Sequence, residues 1–142
     1  MSIDLVRNAE PTPARLASIR SMELSMAGDG EGWLALFAED AVVQDPYGPS
    51  PMDPSGKGRI GKKEIGQFCA AYIRPDGIRF EIRQTLNGGP NRCVNVGTII
   101  AKGPDGRVGW NEVINIYEVN DAGLITLLRS YWDFEANQKT MF

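Results

Sequence analysis

The 142-residue chain contains no histidine. No Ser-His-Asp triad, Cys-His pair or histidine-bearing metal site can be assembled from it. Proton transfer near neutral pH would fall to a carboxylate with a shifted pKa, or to Lys, Tyr or Cys. Cysteine is nearly absent: Cys69 and Cys93 are too far apart for a C-x-x-C motif, and two thiols without histidine make a poor zinc site. Nothing in the chain asks for a disulfide, and neither a metal nor a cofactor is expected. Basic excess is missing as well. Fifteen Lys and Arg stand against eighteen Asp and Glu, and the only adjacent basic pair is Lys62–Lys63, which argues against a nucleic-acid partner. No stretch approaches the roughly 20 apolar residues of a membrane span. The N-terminal Met-Ser-Ile-Asp-Leu-Val-Arg-Asn has no apolar run of the kind a signal peptide needs, so the expected compartment is the cytoplasm.

What is present is globular composition, 42% hydrophobic and 23% charged, at a length typical of one domain spanning 1–142. Residues 1–11 read as a polar lead-in. Thr12 and Pro13 open a first helix, as N-cap and first helical residue, with Leu16, Ile19, Met22 and Met26 at helical spacing up to Gly28. Asp29 caps a second, short helix carrying Trp33, Leu34, Leu36 and Phe37, and residues 41–44 form a short strand. A loop over 46–58 holds four prolines and three glycines, a composition and length associated with function or mobility. A third helix over 62–72 places Ile65, Phe68, Cys69 and Tyr72 on one face. The period then changes from 3.6 to 2. Strands at 78–86, 92–102, 107–119 and 124–134 are separated by Gly- and Asn-rich turns, the pattern of antiparallel hairpins. The expected fold class is α+β, with three N-terminal helices covering one face of a curved antiparallel sheet.

Several segments carry a family resemblance. They are Ala-Gly-Asp at 27–29, Gly-Trp-Leu-Ala-Leu-Phe-Ala-Glu-Asp at 32–40, Ala-Val-Val-Gln-Asp-Pro at 41–46 and Ser-Tyr-Trp at 130–132. In this order of elements the chain resembles the ketosteroid isomerase family and its SnoaL-like relatives, which share the cone-shaped nuclear transport factor 2-like fold. The resemblance covers about 12–136. It implies a base at Asp45, which would take a proton from a carbon beside a carbonyl and return it two carbons away. Asp45 before Pro46 also suits simple turn initiation. The family's second donor corresponds to Asn115, whose amide can donate to an enolate oxygen at any pH; an Asn paired to backbone is the plainer alternative. The family's oxyanion tyrosine falls on Ser21, and its two supporting tyrosines fall on Phe37 and Cys69, so all three phenols are replaced.

Strand parity extends the site. If Asn115 points inward, so do Asn111, Val113 and Tyr117, and the last strand offers Leu128, Ser130 and Trp132. Tyr117 could replace a missing phenol, and Trp132 matches an aromatic wall of the family. The catalytic candidates are thus Asp45 and Asn115, and the substrate-binding candidates Ser21, Trp132, Tyr117, Leu128, Val113 and Ser130. The function implied is steroid Δ-isomerase-like chemistry on a steroid-like or other apolar ring ligand. A SnoaL-like polyketide cyclase and a non-catalytic ring binder are the alternatives. An epoxide hydrolase would want an inward arginine beside Asp45, whereas Arg129 has outward parity. Outward residues Ile114, Ile116, Leu127 and Tyr131, rimmed by Glu112, Glu118, Arg129 and Asp133, suggest a homodimer built on that face.

Overall fold

The computed structural model describes residues 10–103 and 105–140. The lead-in over 1–9 and Pro104 of the 103–106 turn lie outside the described residues. Helix α1 spans Pro13–Ala27 and is fixed at both ends by local chemistry. Thr12 Oγ1 accepts from the Arg15 N–H, and Gly28 closes the helix at φ 73°. A Cβ on Gly28 would lie 2.3 Å from Pro75 N, so that close approach also requires glycine. Helix α2, Gly30–Leu34, is capped by Asp29, and α3 spans Gly61–Tyr72. The strands are β1 Phe37–Gln44, β2 Arg59–Ile60, β3 Ile78–Asn87, β4 Arg92–Lys102, β5 Val108–Val119 and β6 Ile125–Tyr131. A further helix, α4, spans Phe134–Thr140.

The six strands form one open sheet in the order β2-β1-β6-β5-β4-β3. All neighbours are antiparallel except β1 and β6, which run parallel. That parallel pair is the one departure from the all-antiparallel expectation. It arises because the chain leaves β1 through the loop and α3 and builds the hairpins from the far edge back. The β3–β4 register slips between Ile82 and Gln84, opposite Gly97. A Cβ on Gly97 would lie 2.3 Å from Glu81 O, so glycine admits the bulge, and the bulge bends the sheet. Helices cover the concave face. One apolar cluster joins Trp33, Phe37, Ile65, Phe68 and Ile125, and another joins Met22, Phe80, Ile82, Ile99 and Val113.

Three details differ from the sequence reading. Phe37 opens β1 instead of closing the second helix. The buried face of α1 is Ala14, Ser18, Ser21, Met22, Leu24 and Ser25, while Leu16 is 54% exposed. The last strand ends at Tyr131, and Asp133 caps α4 by accepting from the Ala136 N–H. The 46–58 loop is tied down from within: Ser50 and Asp53 exchange backbone hydrogen bonds, and Arg59 Nη2 donates to Met52 O.

Candidate functional site

One transverse row of the concave face is polar from end to end. Register places Thr85 opposite Asn95, Asn95 opposite Asn115, and Asn115 opposite Ser130. The parallel pairing sets Gln44 against Arg129, so Asp45, the next residue, arrives beside Ser130. Thr85, Asn95, Asn115 and Ser130 are each 2% exposed. A buried polar row in an otherwise apolar interior must satisfy its own hydrogen bonds.

It does so in one direction. The Thr85 hydroxyl donates to Asn95 Oδ1 at 2.6 Å. Asn95 spends both amide hydrogens, on Ser18 Oγ at 2.7 Å and on Asn115 Oδ1 at 2.8 Å. Because Asn115 uses its oxygen as the acceptor, its NH₂ group is the part left for the cavity it lines.

Asp45 terminates the row. Trp132 Nε1 donates to its Oδ1 at 2.6 Å, and the Ser130 hydroxyl lies alongside. Burial pushes the carboxyl pKa above its ordinary value, and these two donors offset only part of that rise. Among the described residues no cation pairs with it. Arg129 sits on the other face, donating to Gln44 Oε1 at 2.6 Å and stacking on Tyr47. An apolar-walled carboxylate with few donors and no counter-ion is a better base than a solvated one.

Across the cavity, Tyr117 Oη lies 2.9 Å from Ser21 Oγ, and Trp33 Nε1 donates to the same serine oxygen at 3.0 Å. Either hydroxyl can donate in that pair. With Ser21 as the donor, the phenol hydrogen faces the cavity that Tyr117 lines. Burial raises the Tyr117 pKa, and the nearby Asp45 charge adds to the rise, so the phenol is a neutral donor. The phenol missing from α1 is therefore matched by one from β5 that reaches the same serine.

The cavity enclosed by these groups has a volume of about 400 Å³, within the range of small-molecule sites. Its deep end is formed by buried Ser21, Trp33, Asn115, Tyr117, Leu128 and Ser130. Phe68, Phe80 and Ile99 supply apolar wall, and Met52 reaches in from the 46–58 loop. Of the residues singled out from sequence, Asp45, Asn115, Ser21, Trp132, Tyr117, Leu128 and Ser130 all line it. Val113 does not. It points inward as parity requires but is 3% exposed beneath Met22 and Phe80, as core. Phe37 packs on Trp33, ring centres 4.5 Å apart, and Cys69 Sγ donates to Gly30 O; neither lines the cavity. Sequence reading missed Trp33 as a hydrogen-bond donor, Asn95 as the residue that orients Asn115, and Phe134 and Asn137 of α4 as lining residues. The α4 helix had a signal in Asp133, a preferred N-cap type, with Glu135 in the first turn; Asn95 had none beyond its strand parity. Among the described residues no three His, Cys, Asp or Glu side chains come together as a metal site.

Comparison with known proteins agrees with this fold. Residues 19–128 match the SnoaL-like domain family. A Δ5-3-ketosteroid isomerase from Mycobacterium sp. is 34% identical over 92% of this chain and 98% of its own, with a TM-score of 0.80. The Mycobacterium tuberculosis protein RV0760c, in complex with estradiol-17β-hemisuccinate, is 32% identical over 92% and 98%, with a TM-score of 0.81. Epoxide hydrolase LasB of Streptomyces lasalocidi is 32% identical over 117 residues, which are 75% of this chain but only 36% of that protein. The match runs from within α1 into β6, and the chain belongs to the SnoaL-like family of the nuclear transport factor 2-like fold.

Proposed function

We propose that the chain binds a steroid-like or other apolar ring ligand in this cavity and moves a double bond by intramolecular proton transfer. Asp45 takes a proton from the carbon between an alkene and a carbonyl. The enolate oxygen so formed accepts hydrogen bonds from the Asn115 amide and the Tyr117 hydroxyl. The same proton returns at the far alkene carbon, so nothing is oxidised or reduced and Asp45 ends as it began. The observation that carries this reading is the placement of an unpaired, desolvated carboxylate on the cavity wall shared with those two neutral donors. Both donors work without a change of protonation state, which suits an oxyanion that exists only transiently.

The test is ultraviolet detection of conjugated enone formed from a 5-ene-3-ketosteroid. Asp45→Asn keeps the shape and removes the base. It should lower kcat by about 10²–10⁴-fold, the usual contribution of a positioned base, while binding of a planar steroid persists. Turnover surviving in Asp45→Asn would refute the assignment. The replacement of the family's phenols by Ser21, Phe37 and Cys69 favours a second reading, a binder without turnover; wild-type protein that binds steroid and converts none would select it, or the SnoaL-like cyclase reading. We further place the chain in the cytoplasm as a homodimer. Support for the dimer is the helix-free sheet face, where Tyr47, Trp110, Ile114 and Tyr131 are 42–54% exposed.

A further inference from the structure

The cavity is electrically polarised along its length. Among the described residues, its one lining carboxylate, Asp45, stands beside buried Ser130. The two described cations that line it, Arg74 and Lys102, stand where exposed Ala71, Tyr72 and Gln138 mark the opening. Among the described residues, neither cation forms an ion pair, although Asp76 lies in the same turn as Arg74. The half-buried guanidinium is also held in place. Arg74 Nη2 donates to Lys102 O at 3.2 Å, and the Lys102 N–H donates to Gly77 O at 2.9 Å. The Gly77 N–H returns to Arg74 O at 3.1 Å, closing the turn. The arginine stem folds back over Gly77 so closely that a Cβ there would lie 2.9 Å from Arg74 Cγ. A long side chain fixed at the rim of an apolar cavity, without an acidic partner, has already lost much of the freedom that weakens most surface ion pairs.

We infer that Arg74 and Lys102 form an anion subsite at the rim, and that the natural ligand is a ring system bearing an anionic group such as a carboxylate at the end opposite its reacting carbonyl. The inference rests on the ring-ligand reading of the cavity. It adds an orientation: the ligand's charge is repelled by Asp45 and held by the rim, so the carbonyl end enters first.

The experiment uses estradiol and estradiol-17β-hemisuccinate as a neutral and an anionic probe, with affinities read from quenching of Trp33 and Trp132. The wild type should bind the hemisuccinate about five- to tenfold more tightly at low ionic strength, as expected for two charge-assisted contacts of which one is exposed. The preference should shrink in about 1 M salt, where the screening length is roughly 3 Å. In the Arg74→Gln, Lys102→Gln double variant the ratio of the two affinities should fall to about one, whatever the change in estradiol affinity itself. Lys102→Glu, which leaves the Arg74 strap intact, should reverse the preference. Equal affinities in the wild type, or a preference that survives the double variant, would overturn the anion subsite and leave the ring-ligand reading standing. Failure of the wild type to bind either probe would overturn both.

Discussion

Asp45 and Asp53 sit on the same connection, one directly after β1 and one midway to β2, and their surroundings are opposite. Burial would raise the pKa of either. Asp53 escapes that rise because its Oδ1 accepts from Ser55 Oγ at 2.8 Å, its Oδ2 from the Gly58 N–H at 2.8 Å, and Arg59 stands 3.8 Å away; together these hold the carboxyl below its ordinary range. Asp45 has the Trp132 indole and the Ser130 hydroxyl and no cation, and its pKa goes up. Deeper desolvation, fewer donors and the lack of an arginine separate the carboxylate kept available for protons from the one that organises a loop. A protein that needs a base can make it by withholding partners from an ordinary aspartate.

The sharpest way to break the comparison is to remove the loop's hub. Asp53→Ala deletes the acceptors of Ser55 and Gly58 and the partner of Arg59, and should cost about 1–3 kcal/mol in denaturant unfolding at pH 7, as for other part-buried groups left unpaired. Since the Asp53 pKa is depressed, its stabilisation is complete above the unfolded value of 3.8 and is lost as pH falls through the lower folded value. The wild-type and Asp53→Ala curves should therefore converge in acid. Asp45→Asn should give a smaller effect of opposite sign. A raised pKa means the native state holds its proton more tightly, so wild-type stability declines as pH climbs from 3.8 through the folded value. The variant, which lacks the buried charge, should melt higher than the wild type at pH 7, and the gain should vanish below pH 3.8. An Asp45→Asn protein that melts lower at pH 7 would mean the carboxylate stabilises the fold instead of being tolerated for function.

Much of the fold was legible because its signals are local. Thr12-Pro13 and Gly28 mark the ends of α1, and the alternation in β5 and β6 assigned each side chain to its face. The candidates Asp45 and Trp132 were legible from Asp45-Pro46 and from the parity of the last strand; each lies one residue past the end of a neighbouring strand. What escaped depends on partners distant in sequence. The serines at 18, 21 and 25 make a polar stripe on a helix, which hydropathy reads as facing water. Their burial follows from Asn95, Tyr117 and Trp33 arriving from β4, β5 and α2. Val113 has the parity of a cavity residue but is covered by Met22, which strand parity alone could not anticipate. Asp53 reads as a loop residue among prolines, and only the folded loop shows the three groups that converge on it.

The most direct measurement is a carbon-13 titration of the side-chain carboxyls, with Asp45→Asn and Asp53→Asn used to assign the two resonances. The account predicts that Asp45 titrates above 3.8 and Asp53 below it in the same folded sample. An Asp45 carboxyl titrating at or below the Asp53 value would mean that the cavity stabilises its charge, and would contradict the assignment of Asp45 as a base.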